Sequence, residues 1–412
     1  MKGFRKKFCV FLLLCFLATI RPVLSQTTFV FKGNKTRALI SFTKAKDLII
    51  VTTFINHKGP FNFILDTGVG LILITDSTLK DSLNLPFIRK INIKGLGEGE
   101  DIEAYLTSNL KVEIGPTVAE NASAAILEND IFNLSTYAGI PIHGLIGFDF
   151  FNSFIVKINY QSNFINISNK ETPRLIKKGH KIPITIEQNK PYIIAYGDVK
   201  AKKKVPLKMV IDTGAGHPIS LESSNGSAFL LPDKFVSANL GVGLGGKING
   251  YIGRIESFRI GNFEIKNPIC SFPLYNDVGA KVTTTHRSGS IGNELLKKFE
   301  VTFNYQKKYL FLKANSTFKE PFEHDMSGIE LYATGADFKR YFINRIEKQS
   351  PAEEIGLQVD DELLKINFKP THEMTFSEIT EIFKSKDGRD LILEIKHEEK
   401  ISIGVIKLRR RI

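Results

Sequence analysis

Two aspartates sit in matching surroundings, in Phe63-Ile64-Leu65-Asp66-Thr67-Gly68-Val69-Gly70 and again in Met209-Val210-Ile211-Asp212-Thr213-Gly214-Ala215-Gly216. Two carboxylates held close together cannot both ionise cheaply, so one keeps a proton while the other gives its proton up. The pair then holds an acid and a base at once, able to take a proton from water and to give one to a carbonyl oxygen under attack. Asp66 and Asp212 are the candidate catalytic residues, and this chemistry calls for no metal and no cofactor. Thr67 and Thr213 carry hydroxyls suited to bonding across a junction between two halves. Gly68 and Gly214 let backbone N–H groups come close to the carboxylates.

Such a pair has to be held by rigid backbone. Each aspartate follows an apolar run and precedes a glycine, the pattern of a strand running into a tight turn. Short β-rich runs surround the first copy: Phe29–Lys32, Ala38–Phe42, Leu48–Ile55, Phe61–Leu65, Leu71–Thr75 and Lys111–Ile114. Ile155–Tyr160 and Phe164–Ile167 read as a closing hairpin. Strands at this spacing indicate an all-β sandwich or barrel.

The second half repeats the first. Tyr105 and Tyr251 each lie 39 residues after their aspartate, and Gly115 and Gly261 each lie 49 after. Gly144-Leu145-Ile146-Gly147 is answered by Gly289-Ser290-Ile291-Gly292, and Phe154–Gln161 by Phe299–Gln306. Ala38–Phe42 is matched by Ile182–Ile186, so the basic stretch at Lys44 and Lys46 reads as part of a first lobe rather than as an inhibitory propeptide. The expected lobes span residues 28–170 and 171–318.

Duplicated Asp-Thr-Gly, each copy followed well downstream by an apolar-Ile-Gly step (Ile146-Gly147, Ile291-Gly292), resembles the aspartic proteases. The compact lobes and missing disulfides resemble their retropepsin-like bacterial branch. Over residues 28–315 the resemblance implies a mainly β, two-lobed, pseudo-twofold β-barrel fold with a polypeptide substrate in the interlobe cleft. One chain supplies both halves of the site, so a monomer suffices. Ala215 fits the family pattern after Asp-Thr-Gly. Val69 is bulkier and gives up a hydroxyl contact to the outer carboxylate oxygen, which bears on working pH. Tyr105 and Tyr251 lie in the zone of the family's flap tyrosine and are candidate flap residues; each also fits a packed strand position. Gly95–Gly99 and Gly241–Gly246 read as hairpin tips. The latter formally matches a dinucleotide motif, but the residues after it are strand-like rather than helical. Asp149 and Glu294, just past the Ile-Gly steps, align with each other and read as structural.

The 412 residues allow two or three domains. A basic start and the apolar run Phe8–Ile20 form a signal peptide over 1–25, with cleavage before Gln26 favoured over retention as an anchor. The expected setting is exported: periplasm or cell envelope, with an extracellular one open. Cys9 and Cys15 fall in that leader, so the mature chain keeps Cys270 alone and has no internal disulfide. Sequons at Asn34 and Asn315 keep a glycosylated alternative open. The net charge of +13 is scattered apart from Lys202–Lys204 and Arg409–Arg411, which argues against nucleic acid as partner. Neither a His-Glu-x-x-His zinc motif nor a Gly-x-Ser-x-Gly nucleophile turn is present.

After Phe318-Lys319-Glu320-Pro321 the texture changes to a small α+β domain, residues 325–412, with strands from Tyr341, Leu363, Leu391 and Ile401. Thr375-Phe376-Ser377-Glu378 is a capping box opening an amphipathic helix. The run from Ser350-Pro351-Ala352 to Ile366-Asn367 resembles a PDZ domain, with Asp360 and Phe368 where that family has glycines. This implies a peptide C-terminus as partner, and Gly328-Ile329-Glu330-Leu331 is the nearest candidate for its carboxylate-binding loop. Two functions remain: an aspartic endopeptidase with a PDZ domain, or a catalytically idle, protease-like shell that binds peptides in the cell envelope. Carboxylates intact in both halves favour the enzyme.

Overall fold

The computed structural model describes residues 27–85, 89–93, 102–171, 178–200, 202–224, 226–243, 246–278 and 285–412. The expected leader and the Gly95–Gly99 tip lie outside these residues, as do residues 244 and 245 of the second glycine cluster. Among the described residues the chain is mainly β, in sheets of nine, six, ten and six strands.

The strand Lys58–Leu65 is buried at its C-terminal end, where Phe63, Ile64 and Leu65 lose nearly all contact with water. A strand buried on both faces needs neighbours on both edges to satisfy its backbone. Leu48–Ile55 pairs with it antiparallel, and Gly144–Ile146 pairs with it parallel, placing Ile146 opposite Leu65. Ile72–Ile74, just past Asp66, returns to the other edge of Gly144–Ile146. The second half is wired alike: Lys190–Val199 and Gly289–Ile291 flank Lys202–Ile211, and Ile219–Leu221 returns beside Gly289–Ile291. The repeat extends to single residues. Tyr105 faces Ile126 and Tyr251 faces Phe272. Gly115 and Gly261 both turn with φ of 52° and 57°, a region glycine enters without a steric cost.

The two halves share a six-stranded sheet in the order His180–Pro183, Tyr309–Ala314, Phe299–Asn304, Ile155–Asn159, Phe164–Ser168, Arg37–Ser41. Its central pair is antiparallel, with Val156 opposite Phe303 and Ile158 opposite Val301. One continuous apolar core runs through both halves. Phe151, on the helix Phe148–Ser153, packs at 5.0 Å from Phe303 and 5.8 Å from Tyr305.

The C-terminal strands form a separate sheet over a core of their own. The capping box at Thr375 and Glu378 forms and opens the helix Phe376–Phe383. Two strands lie beyond those expected: Ile329–Thr334, which pairs with Arg340–Ile346, and the short Lys369–Pro370, which pairs with Glu362–Ile366. Gly328 turns ahead of the first at φ 81°, so Glu330 and Leu331 of the suggested loop are strand residues. This domain rests on both halves. The Lys46 N–H donates to Ser377 Oγ at 3.3 Å, and the Lys46 ammonium lies 3.7 Å from the Phe376 ring centre. Arg345 donates to the Ser237 carbonyl at 2.8 Å, and Lys384 lies 3.8 Å from Glu294.

Ile158 is fully buried in the central pair of the shared sheet. Ile158→Ala is expected to cost about 2–5 kcal/mol, read as a shift of the urea midpoint at unchanged slope.

Candidate active site

The strand Lys58–Leu65 ends where Asp66 begins, and the Asp66 N–H donates to the Ile146 carbonyl at 2.8 Å. The Asp212 N–H donates to the Ile291 carbonyl at 2.9 Å. Each Ile-Gly step therefore ends the parallel strand that fixes its aspartate. The glycines that follow are required by close packing: a methyl group on Gly147 would collide with the Asp66 and Val69 carbonyls, and one on Gly292 with those of Ala215 and His217.

The two turns are then tied to each other. Thr67 N–H donates to Thr213 Oγ1 and Thr213 N–H donates to Thr67 Oγ1, both at 3.0 Å. The Thr67 hydroxyl donates to the Ile211 carbonyl at 2.7 Å, and the Thr213 hydroxyl to the Leu65 carbonyl at 2.8 Å. All four groups are buried, so each bond replaces one that water would otherwise make. A hairpin from the opposite half also braces each turn. A side chain on Gly70 would meet Asn189 at 3.2 Å, and one on Gly216 would meet the Lys46 carbonyl at 3.0 Å.

Crossing the turns brings the two carboxyls together. Gly68 N–H donates to Asp66 Oδ1 at 2.6 Å, and Gly214 N–H to Asp212 Oδ1 at 3.0 Å. A methyl on Gly68 would sit 2.9 Å from Asp66 Oδ1 and 3.0 Å from Asp212 Oδ1, and one on Gly214 would strike the Asp66 carboxyl. Asp66 is 6% exposed. Its carboxyl is held well above the usual range, first by burial and then by the charge of Asp212; the Gly68 N–H opposes this. The pair can thus hold one proton between two oxygen-lined groups.

Several supports were not read from the sequence. Asn293 Nδ2 donates to the Thr213 carbonyl at 2.5 Å, and the Tyr160 hydroxyl donates to Asn293 Oδ1 at 2.7 Å, linking the first half to the second turn. The first half has Phe148 where the second has Asn293, and this mismatch between the copies was the available signal. Tyr305, the counterpart of Tyr160, packs on Phe148 at 6.0 Å and leaves its buried hydroxyl without a partner among the described residues. In the second half a buried bidentate pair joins Arg287 to Glu222 at 2.7 and 2.9 Å.

Tyr105 and Tyr251 both lie on strands. Tyr105 stands mid-strand with the Lys80 ammonium 5.3 Å from its ring, and Tyr251 packs edge-on against Phe235 at 5.1 Å. Asp149 opens the helix Phe148–Ser153, where burial pushes its carboxyl up to about 6. Glu294 faces Lys384 of the C-terminal domain. Cys270 is buried, which raises its thiol. Among the described residues no cluster of three His, Cys, Asp or Glu side chains is placed to hold a metal ion, and no helix is long and apolar enough to cross a membrane.

Two known families match parts of the chain. Residues 51–150, which include Asp66 and the Ile146-Gly147 step, match the aspartyl protease family, and residues 342–397 match the PDZ domain. No curated protein matches the chain.

Thr213→Val is expected to destabilise by about 1–3 kcal/mol, because it orphans the buried Thr67 N–H and Leu65 carbonyl, while Thr213→Ser restores most of the loss; urea melts read both. The raised Asp66 carboxyl means that the folded state binds the extra proton, so stability falls as pH climbs from the ordinary carboxylate range to the raised value. Asp66→Asn removes this fall. The variant is expected to match wild type at low pH and to exceed it near neutrality, as thermal melts across pH would show.

Proposed function

We propose that this chain, which joins an aspartyl protease domain to a PDZ domain, is an endopeptidase whose catalytic residues are Asp66 and Asp212. The observation that carries the reading is the crossed threonine bonding that sets two carboxyls side by side with one of them resisting ionisation. Asp212 takes a proton from the attacking water. Asp66, kept protonated by burial and by its neighbour's charge, donates to the carbonyl oxygen of the scissile bond. The tetrahedral diol collapses with cleavage of the C–N bond when the proton Asp212 took from water passes to the departing amine and one diol hydroxyl returns its proton to Asp66. Thr67, Gly68, Thr213 and Gly214 position the pair and touch no substrate in this scheme. The PDZ domain takes a peptide terminus or partner. The basic and apolar start of the chain supports export to the periplasm or cell envelope.

The test is cleavage of a diverse quenched-peptide pool by the chain from Gln26, between about pH 3 and 8, a span that brackets the split titrations of a carboxyl pair. Wild type is expected to cut, and Asp66→Asn and Asp212→Asn each to lose at least about 10²-fold in rate. Variants that cut as well as wild type would remove the pair from the mechanism. A folded wild type that cuts nothing would leave a peptide-binding shell.

A further inference from the structure

The two halves repeat in backbone but not in the chemistry beside the aspartates. Leu145 lies opposite Leu73, which neighbours Ala125. At the same three register positions in the second half, Ser290 lies opposite Ser220, which neighbours Ser271. The intervening residues Ile72, Ile74, Ile146, Ile219, Leu221 and Ile291 all enter the main core. Each trio therefore occupies the sheet face turned away from that core, since strand side chains alternate. Leu145 pairs with Ile64 and Ser290 with Val210, each two residues ahead of its aspartate, so both trios border the carboxyl pair.

The first-half trio is capped by Leu71, Ile91, Ile102 and Phe132, which extend an apolar wall onto the hairpin of Arg89–Ile93 and Ile102–Ile114. In the second half the corresponding place is taken by His217, whose Nε2 lies 2.9 Å from Ser290 Oγ. The charge of Asp212 acts on both His217 and Arg287, so this cluster also sits close to the pair. Ser220, Ser271 and Ser290 are 4%, 6% and 4% exposed, and only Ser290 has its hydroxyl bonded to protein among the described residues. Arg287 is matched in charge by Glu222, and burial lowers His217, favouring the neutral ring. This wall offers hydrogen bonds, and the charge beside it that Arg287 and Glu222 do not balance is that of Asp212.

We propose that the two walls take chemically different side chains from one bound polypeptide: an aliphatic or aromatic one at Leu71, Leu73 and Leu145, and an uncharged hydrogen-bonding one, a carboxamide or hydroxyl, at His217, Ser220 and Ser290. An aliphatic group in the second wall leaves buried hydroxyls unpaired, and a charged one loses its hydration, an acidic one also meeting the negative charge of Asp212. The substrate class is then a segment with an apolar side chain on one side of the scissile bond and a polar, neutral one on the other. This rests on the endopeptidase reading for the position of the bond, but not for the two walls themselves.

The experiment uses the full chain carrying Asp66→Asn with Asp212→Asn, which binds without cutting. Peptides retained from a randomised library are sequenced by mass spectrometry, beside the same chain carrying Ser220→Ala with Ser290→Ala, and beside Ser290→Thr. The expected result is an asymmetric profile in which Asn, Gln, Ser or Thr exceeds Leu about tenfold at one position and an apolar residue leads at another. The double alanine variant is expected to lose the polar preference alone, and Ser290→Thr to keep it. A profile that is apolar at both positions, one that the alanine changes leave intact, or a chain that retains no peptide overturns the proposal. Asymmetric retention by this chain together with an uncut pool from wild type would instead overturn the endopeptidase reading alone.

Discussion

Everything near the aspartates depends on four hydrogen bonds between two threonines and the opposite half's backbone. Each hydroxyl accepts from the facing threonine N–H and donates to a carbonyl one residue before the facing aspartate. Both capacities of the hydroxyl are used, which serine or threonine can provide and valine cannot. Because these groups are buried, the turns cannot separate without stranding polar atoms away from water. The resulting close approach makes Gly68 and Gly214 obligatory and forces the carboxyls to share a field. The parallel strands ending at Ile146 and Ile291 and the six-stranded sheet hold these four bonds in register.

The duplicated turn, its Ile-Gly step and the register of Tyr105 with Tyr251 and Gly115 with Gly261 were legible because each rests on local geometry that only a few residue types satisfy. Strand patterning likewise revealed the mainly β class. Three kinds of feature were not legible. The helices Thr78–Ser82, Leu134–Ala138 and Phe148–Ser153 run five or six residues each, too short to display a helical period. The strand Ile329–Thr334 alternates buried and half-buried residues, but Glu330, Tyr332 and Thr334 give its outer face no contrast with a loop. The Tyr160–Asn293 brace joins residues 133 apart in sequence and belongs to one half only, so a search for repetition passes over it.

The departures from symmetry are as informative as the symmetry. The Gln188–Asn189 turn and the Lys46–Asp47 turn both use left-handed backbone and both brace the loop after the other half's aspartate. Only the second also carries the C-terminal domain, through Ser377 and Phe376. Burial of the Lys46 ammonium at this junction lowers it to about 8, against the opposing pull of Glu330. One of the two equivalent turns has become a mounting point while the other keeps to bracing alone.

The threonine bonds also order events in time. Their partners stand 144 to 148 residues apart, and the strands that align them come from the far ends of the two halves. A chain emerging during synthesis exposes Asp66 long before Thr213 exists. Until the second half closes, the first aspartate is a single ordinary carboxyl on an unbraced turn, with no neighbour to share its proton. The duplicated architecture therefore ties the pairing of the two carboxyls to completion of the fold: within one chain they meet only once both halves are in place.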